Sequence, residues 1–209
     1  MNKTLLDLFT DEIIVNKIKT RLPKLFQIAE LESSRAGKIG MEVGSLREKI
    51  IIALLIYKFG EDNLETNIPI TEAEIDVKLF NKPISIKTIT GRNPSGIKLI
   101  WTVDADSAIR FSKNYIPGCD MILVNIVWNH EGYFYYIPIE VQREIFKKLG
   151  NERYIKLPKA GTNPRGVEMS KEAIVELANH KFTKRIPIHW GKSEIEYQPY
   201  KRWVELWSE

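Results

Sequence analysis

Asp76 and Lys87 are the residues whose types and spacing could do chemistry. Asp76 lies in a strand-like segment, residues 73–80, and Lys87 in a second, residues 84–90, joined by Asn81-Lys82-Pro83. Period-two alternation sets Ser85 and Lys87 on one face of the second strand and projects Asp76 from the first, so a carboxylate and an ammonium converge. Metal-assisted phosphodiester cleavage needs such a pair: an oxygen ligand for Mg²⁺ and a cation to orient the attacking water. The same pairing also occurs as a solvated feature of ordinary hairpins. Two observations favour chemistry. Asp is a poor strand former and is flanked here by Ile75 and Val77, so a half-buried carboxylate calls for a partner such as a metal. Glu48, at the head of an apolar segment, stands where a second carboxylate could be supplied.

The elements that must position these groups read as an ordered α/β chain. Helical spacing of Leu5, Leu8, Phe9, Ile13, Ile14 and Ile18, then of Leu25, Phe26, Ile28, Ala29 and Leu31, predicts two packed helices within residues 3–35, broken at Pro23. Residues 33–44 read as irregular and glycine-punctuated. Ser45-Leu46-Arg47-Glu48 matches a capping box opening a helix that is apolar nearly all round from Ile50 to Phe59 and stops at Gly60. In a capping box Glu48 would bond the Ser45 N–H, a role that competes with catalysis for one side chain. Beyond the Asp76 hairpin the pattern gives a helix over about 105–113, strands over 121–128 and 133–139 turning at 129–132, and a helix over 140–149. A further helix over 171–180 and a strand over 185–189 complete the order. Two loops, 91–96 and 161–166, share the pattern G-x-N-P-x-G, read as two similar turns and not as a repeat. The aromatic tail from Tyr197 to Trp207 ends with helical spacing and should cap the core or form a subunit interface.

Composition bounds the function. The chain has 209 residues, 44% apolar and 28% charged, enough for one globular domain with a sizeable core. Its regions would be a helical part at about 1–35, a core bearing Glu48, Asp76 and Lys87 at about 45–140, and a C-terminal part at about 140–209. Thirty-one Lys and Arg against 27 Asp and Glu leave a net charge of +4, a mild lean towards a polyanionic partner. A single cysteine, Cys119, excludes an internal disulfide framework and a cysteine-rich zinc site, which fits a cytoplasmic protein. The longest apolar run, 50–57, is far shorter than the ~20 residues of a membrane span, so no membrane role is expected. His130, His180 and His189 show no metal-ligand spacing.

The order of a Glu-bearing helix, an Asp-bearing strand and a strand carrying Ile86-Lys87 resembles the PD-(D/E)XK nuclease core, with Glu48, Asp76 and Lys87 at its active-site positions. The segment from Arg35 through Gly60, with Gly-Lys-Ile-Gly-Met-Glu-Val-Gly-Ser-Leu-Arg-Glu-Lys-Ile, is similar to the ThaI family of type II restriction endonucleases, and the likeness extends over essentially the whole chain. The resemblance implies a central mixed β-sheet flanked by helices, a homodimer, and Mg²⁺-dependent cutting of double-stranded DNA at CG/CG to blunt ends. Only this resemblance makes the core at about 45–140 catalytic and the part at about 140–209 a DNA-contact or dimer region. It also implies that Met41 intercalates at the CG steps; read locally, a Met between Gly40 and Gly44 fits a core contact better than a wedge.

The chain departs from the superfamily pattern in two places. Ile75 stands where a Pro precedes the Asp, and Ser85 fills the slot of the acidic residue before x-Lys. The missing carboxylate must come from elsewhere: Glu48 first, Glu74 second, Asp104 or Asp106 third, although the last two could equally serve a helix N-terminus. One principal Mg²⁺ per site, held by Glu48, Asp76 and the Ile86 carbonyl, is the resulting expectation. Recognition of CG pairs favours Arg or Lys on guanine edges, with Arg92, Lys98, Lys159 and Arg165 in or near the two Asn-Pro loops as candidates and Lys38 beside Met41. Two other classes stay open: a repair or junction-resolving nuclease with the same core, and a DNA-binding protein in which Asp76 and Lys87 form a structural ion pair.

Overall fold

A computed structural model describes residues 4–35, 38–40, 42–69, 72, 74–93, 96–100, 102, 104–157 and 166–209. After a single turn, α1 (Asp7–Thr10), the chain forms α2 (Glu12–Ser33), capped by Asp11, whose side chain accepts from Ile13 N and Ile14 N. Here the helix runs unbroken through Pro23, contrary to the two helices expected. Proline removes one hydrogen bond and crowds the preceding turn, but Ile14, Ile18, Leu22, Phe26 and Ala29 continue one buried stripe across it. That burial outweighs the local defect. The glycine-punctuated segment is also more regular than expected, because β1 (Ser34–Arg35) and β2 (Lys38–Ile39) pair as a short antiparallel hairpin.

Helix α3 spans Val43–Phe59 and is N-capped by the Glu42 position with no side-chain bond. Ser45 therefore lies inside the helix, and the capping box of Ser45 and Glu48 is not formed. Of its apolar run only Ile51, Leu55 and Phe59 are buried, so the helix is one-sided, with Tyr57 62% exposed on the other side. Lys58 near its end pairs with Asp11 at 2.5 Å, tying the end of α3 to the start of α2.

A 3-10 turn, Glu61–Asn63, leads into β3 (Leu64–Glu65), followed by β4 (Val77–Leu79) and β5 (Lys82–Thr90). The expected first strand is thus shorter, starting at Val77, and the turn is Phe80-Asn81, not Asn81-Lys82-Pro83. Both turn residues have positive φ, 50° and 61°, as a two-residue type I′ hairpin requires. Phe80 is an unusual residue for that conformation, and its ring packs edge-on against Phe59 at 5.8 Å.

The chain continues through β6 (Ile97–Ile100), α4 (Ala105–Asn114), β7 (Asp120–Ile126), β8 (Glu131–Ile137), α5 (Ile139–Leu149), α6 (Asn151–Tyr154), β9 (Ile155–Lys156), β10 (Val167–Met169), α7 (Lys171–Asn179), β11 (Lys184–His189) and α8 (Lys201–Ser208). Six strands form the main sheet in the order β11-β8-β7-β5-β4-β3, antiparallel except for β5 against β7. A mixed sheet results, with helices on both faces. Ile84 and Ile86 with Ile122, Val124 and Ile126 pack under α1, α2 and α3; Met121 and Leu123 with Tyr135 and Ile137 pack under α4 to α7. Alternation along β5 and β7 divides these two cores. A smaller sheet, β6-β10-β9, was not foreseen, and its strands β6 and β10 directly follow the two Asn-Pro loops. The tail does not cap the core: no side chain of α8 is buried.

Candidate active site

Strand β4 ends its pairing with β5 at Val77 opposite Ile84, while β5 runs on to Thr90. The freed edge of β5 is where Asp76 lies. Its backbone N–H donates to the Ile84 carbonyl at 3.0 Å, and its Oδ2 accepts from Ile86 N at 2.5 Å, Lys87 Nζ at 3.1 Å and Ser85 Oγ at 3.3 Å. All three donors converge on one oxygen; among the described residues none reaches Oδ1. N–H and C=O of one strand residue point to the same edge, so the Ile86 carbonyl faces the side on which Asp76 sits. The Asp76 and Lys87 side chains are only 16% and 14% exposed, and Ser85 is fully buried.

Glu48 comes to this site from the first turns of α3. Burial and the charge of Asp76 push its carboxyl from 4.5 up to about 7, against the opposing pull of Lys87 and Lys49. Two carboxylates sharing a partly desolvated site repel, and a cation between them would remove the conflict. Glu74 lies on the same side, but Tyr115 Oη donates to its Oε1 at 2.7 Å. Burial raises its carboxyl as well, with the Tyr115 bond and Lys87 working the other way. Glu74 sits in a turn and Asp76 in a bend before β4, so the two do not share a strand as the longer strand had implied.

The donor set fits a hard divalent cation. Asp76 Oδ1, the Glu48 carboxylate and the Ile86 carbonyl are all oxygens, the ligands that Mg²⁺ prefers. Among the described residues no three His, Cys, Asp or Glu side chains gather as a metal cage, so water and a phosphate oxygen would complete the coordination.

Comparison with known proteins bears on this geometry directly. The family described as "Restriction endonuclease ThaI" matches residues 8–209. The chain belongs to the ThaI restriction endonuclease family. That makes it a type II site-specific deoxyribonuclease, on a fold that matches accordingly: a solved structure described as "Restriction endonuclease in complex with substrate DNA" is 61% identical, with 98% of each chain covered and a TM-score of 0.92. No curated protein matches the chain.

The remaining described candidates of this ThaI-family chain lie on separate elements. Lys38 on β2, Arg92 after β5 and Lys98 on β6 are exposed; Met41, Lys159 and Arg165 lie outside the described residues. Asp104 caps α4, accepting from Ser107 N at 2.8 Å, with Asp106 in the first turn, which is the helix-terminus role. Sequence reasoning missed the groups that hold α3 against β5. Arg47, 4% exposed, pairs with Glu30 of α2 at 2.5 Å and donates to Thr90 Oγ1 at 3.0 Å. Trp128 Nε1 donates to the same Glu30 oxygen at 2.8 Å. A charge of each sign on the buried sides of neighbouring amphipathic helices is the signal that could have exposed this pair.

Proposed function

We propose that this restriction endonuclease hydrolyses double-stranded DNA at CG/CG, as a Mg²⁺-dependent homodimer leaving blunt ends. The carrying observation is Asp76: three donors hold Oδ2 in place, while Oδ1 takes no bond from the described residues and the carboxylate is near enough to raise Glu48. A structural ion pair with Lys87 needs no second carboxylate nearby, whereas here the Glu48 carboxyl is raised first by burial and then by the charge of Asp76. Support for the substrate comes from the 61% identical structure described with substrate DNA.

Glu48, Asp76 and the Ile86 carbonyl would hold the ion, one per site. When bound, Mg²⁺ supplies Lewis-acid polarisation of the scissile phosphate and makes a water more acidic. Lys87, fixed by Asp76, orients the attacking water and offsets negative charge developing on the phosphate. The water oxygen forms the new P–O bond as the P–O3′ bond breaks, leaving 5′-phosphate and 3′-hydroxyl ends. Ser85 fixes the Asp76 carboxylate, and Glu74, tied to Tyr115, stands in reserve as a polar neighbour. Arg92, Lys98, Lys159 and Arg165 would meet guanine edges or phosphates, Lys38 the backbone near the minor groove, and Met41 would wedge between the bases of a CG step. All 209 residues form one nuclease domain acting on DNA in the cytoplasm.

Unmethylated plasmid incubated with Mg²⁺ and with EDTA, its product ends sequenced, tests this reading. Discrete fragments ending bluntly inside CGCG only with Mg²⁺ are expected. DNA that is bound but uncut would return Asp76 and Lys87 to a structural ion pair, and cuts at branched DNA without sequence preference would assign a repair nuclease instead.

A further inference from the structure

Helix α8 carries an apolar stripe of which no side chain is buried. Tyr200, Trp203, Val204 and Trp207 share one side at helical spacing, and they are 74%, 57%, 61% and 92% exposed. So short a helix is marginal in water by itself, and a cluster of exposed aromatics marks a contact surface.

A counterpart exists on the same molecule. Between α2 and α3 runs a groove of about 330 Å³, lined by Ile18, Leu22, Leu25, Ile50, Leu54 and Tyr57, with Lys17 and Arg21 on its rim. Lys17 already lies over the Tyr57 ring at 5.0 Å, and a tryptophan there would meet the same cations by its π-face. From Lys17 to Leu25 the groove extends ~12 Å along α2, which is also about the length of α8 at ~1.5 Å per residue. Along the groove α2 carries Lys17, Lys19, Arg21 and Lys24; α8 itself answers with Glu205 beside Lys201 and Arg202, and Glu209 follows it, so the acids that complement the rim lie at its C-terminal end.

The path of the tail points away from its own groove. Gln27 Nε2 donates to the Ser193 carbonyl at 2.6 Å and Ser193 N to Gln27 Oε1 at 3.0 Å. Further on, Tyr197 feels the charge of Glu32, which lies beyond Gln27 on α2, whereas the groove residues precede Gln27. We infer that α8 of each chain seats its Trp203–Trp207 stripe in the α2–α3 groove of a second copy, the two chains clasping reciprocally. This rests on the homodimer reading and gives it a surface. A two-fold pair uses the same patches twice; at ~150–250 Å² for a whole tryptophan, the exposed parts of Trp203 and Trp207 from both chains with a matching area of groove come to roughly 900–1,500 Å², which reaches into the range of a stable interface.

Cross-linking in trans tests it. Full-length Ala53→Cys and Val204→Cys variants are mixed, allowed to exchange, and treated with a short bis-maleimide; Cys119 is buried and its thiol pushed up to about 12, so it stays silent. A covalent dimer from the mixture, absent from either variant alone, is expected. Sedimentation should also show the Trp203→Ala/Trp207→Ala variant as a monomer where the parent is a dimer, free or on a CGCG duplex. A parent dimer with no cross-link and an undisturbed double variant overturns the clasp and leaves the homodimer standing. Cross-linking confined to single chains bearing both cysteines places α8 in its own groove and overturns it too. A parent that is monomeric with and without DNA removes the homodimer reading, and the clasp with it.

Discussion

At the scale of the residue, the site is an acid pair under tension with one fixed cation. Asp76→Ala removes the anchor of Lys87 and a proposed ion ligand, and Lys87→Ala removes the cation; each should lower cleavage on the order of 10³-fold or more. Their circular-dichroism spectra should match the parent's, because the group lies at a strand edge and not in either core. A variant retaining parental cleavage would dismiss its residue from the chemistry. Glu48 adds a dependence on pH with a definite sign. Its folded carboxyl sits at about 7 against an ordinary 4.5, so between those values the folded chain binds more protons than the unfolded one. The metal-free protein therefore loses stability as pH rises through that window. An ion that needs the charged carboxylate reverses the trend, so the Mg²⁺-induced rise in Tm should be small at pH 5 and grow towards pH 8. Glu48→Gln should flatten both effects; an unchanged pH profile in that variant would assign the dependence elsewhere. The shared face of Ser85 and Lys87 was legible in sequence because period-two alternation is a local rule, whereas Asp76 reaches them from a bend ahead of β4 that alternation does not describe. Glu48 was ambiguous, because a capping-box match depends on where the helix starts, and α3 starts at Val43.

At the scale of the element, catalytic geometry depends on how α3 is held against β5. The Glu30–Arg47 pair lies between α2 and α3, and Arg47 reaches Thr90 at the end of the strand that carries Lys87. Next along α3 is Glu48. Glu30→Ala would leave the Arg47 guanidinium buried without its carboxylate, which costs about 3–5 kcal/mol, measurable as a lower denaturant midpoint at unchanged m. It would also release the Trp128 indole. A loss below ~1 kcal/mol would show that water reaches Arg47 and that the pair does not fix the helix. Most elements of the core could be read from their patterns, including β7, α5, α7 and β11. What escaped were features set by distant partners: the passage of α2 through Pro23, sustained by Ile18, Leu22 and Phe26 against the sheet, and the small sheet that brings β6 to β10 across more than sixty intervening residues. Hairpin β4–β5 was read with its turn displaced because Phe80 gives no sign of the positive φ it adopts.

At the scale of the whole molecule, one chain offers one Asp76–Lys87 site, whereas blunt cutting of a palindrome requires two phosphodiester hydrolyses on opposite strands. The proposed two-fold dimer would meet that need, since its symmetry would match that of a palindromic target. The modest net charge of +4 cannot by itself secure tight DNA binding, so doubling the contact surface also raises affinity, and that affinity should fall steeply with salt. The proposed dimer would have a kinetic signature that needs no structural probe. Parent and Asp76→Ala chains bearing different tags, co-expressed and purified through both tags, give a particle with one competent site. On supercoiled plasmid it should accumulate nicked circles before any linear DNA, because only one strand is cut per binding event, while the parent should yield linear DNA with little nicked intermediate. Linear product at half the parental rate, without nicked circles, would mean that a single chain cuts both strands in turn. Asp76, Lys87 and their hairpin give no sign of a partner; of the two roles expected for the aromatic tail, the structure removes the core cap, since Trp203 and Trp207 stay exposed on α8, and leaves the subunit interface to the test of the clasp.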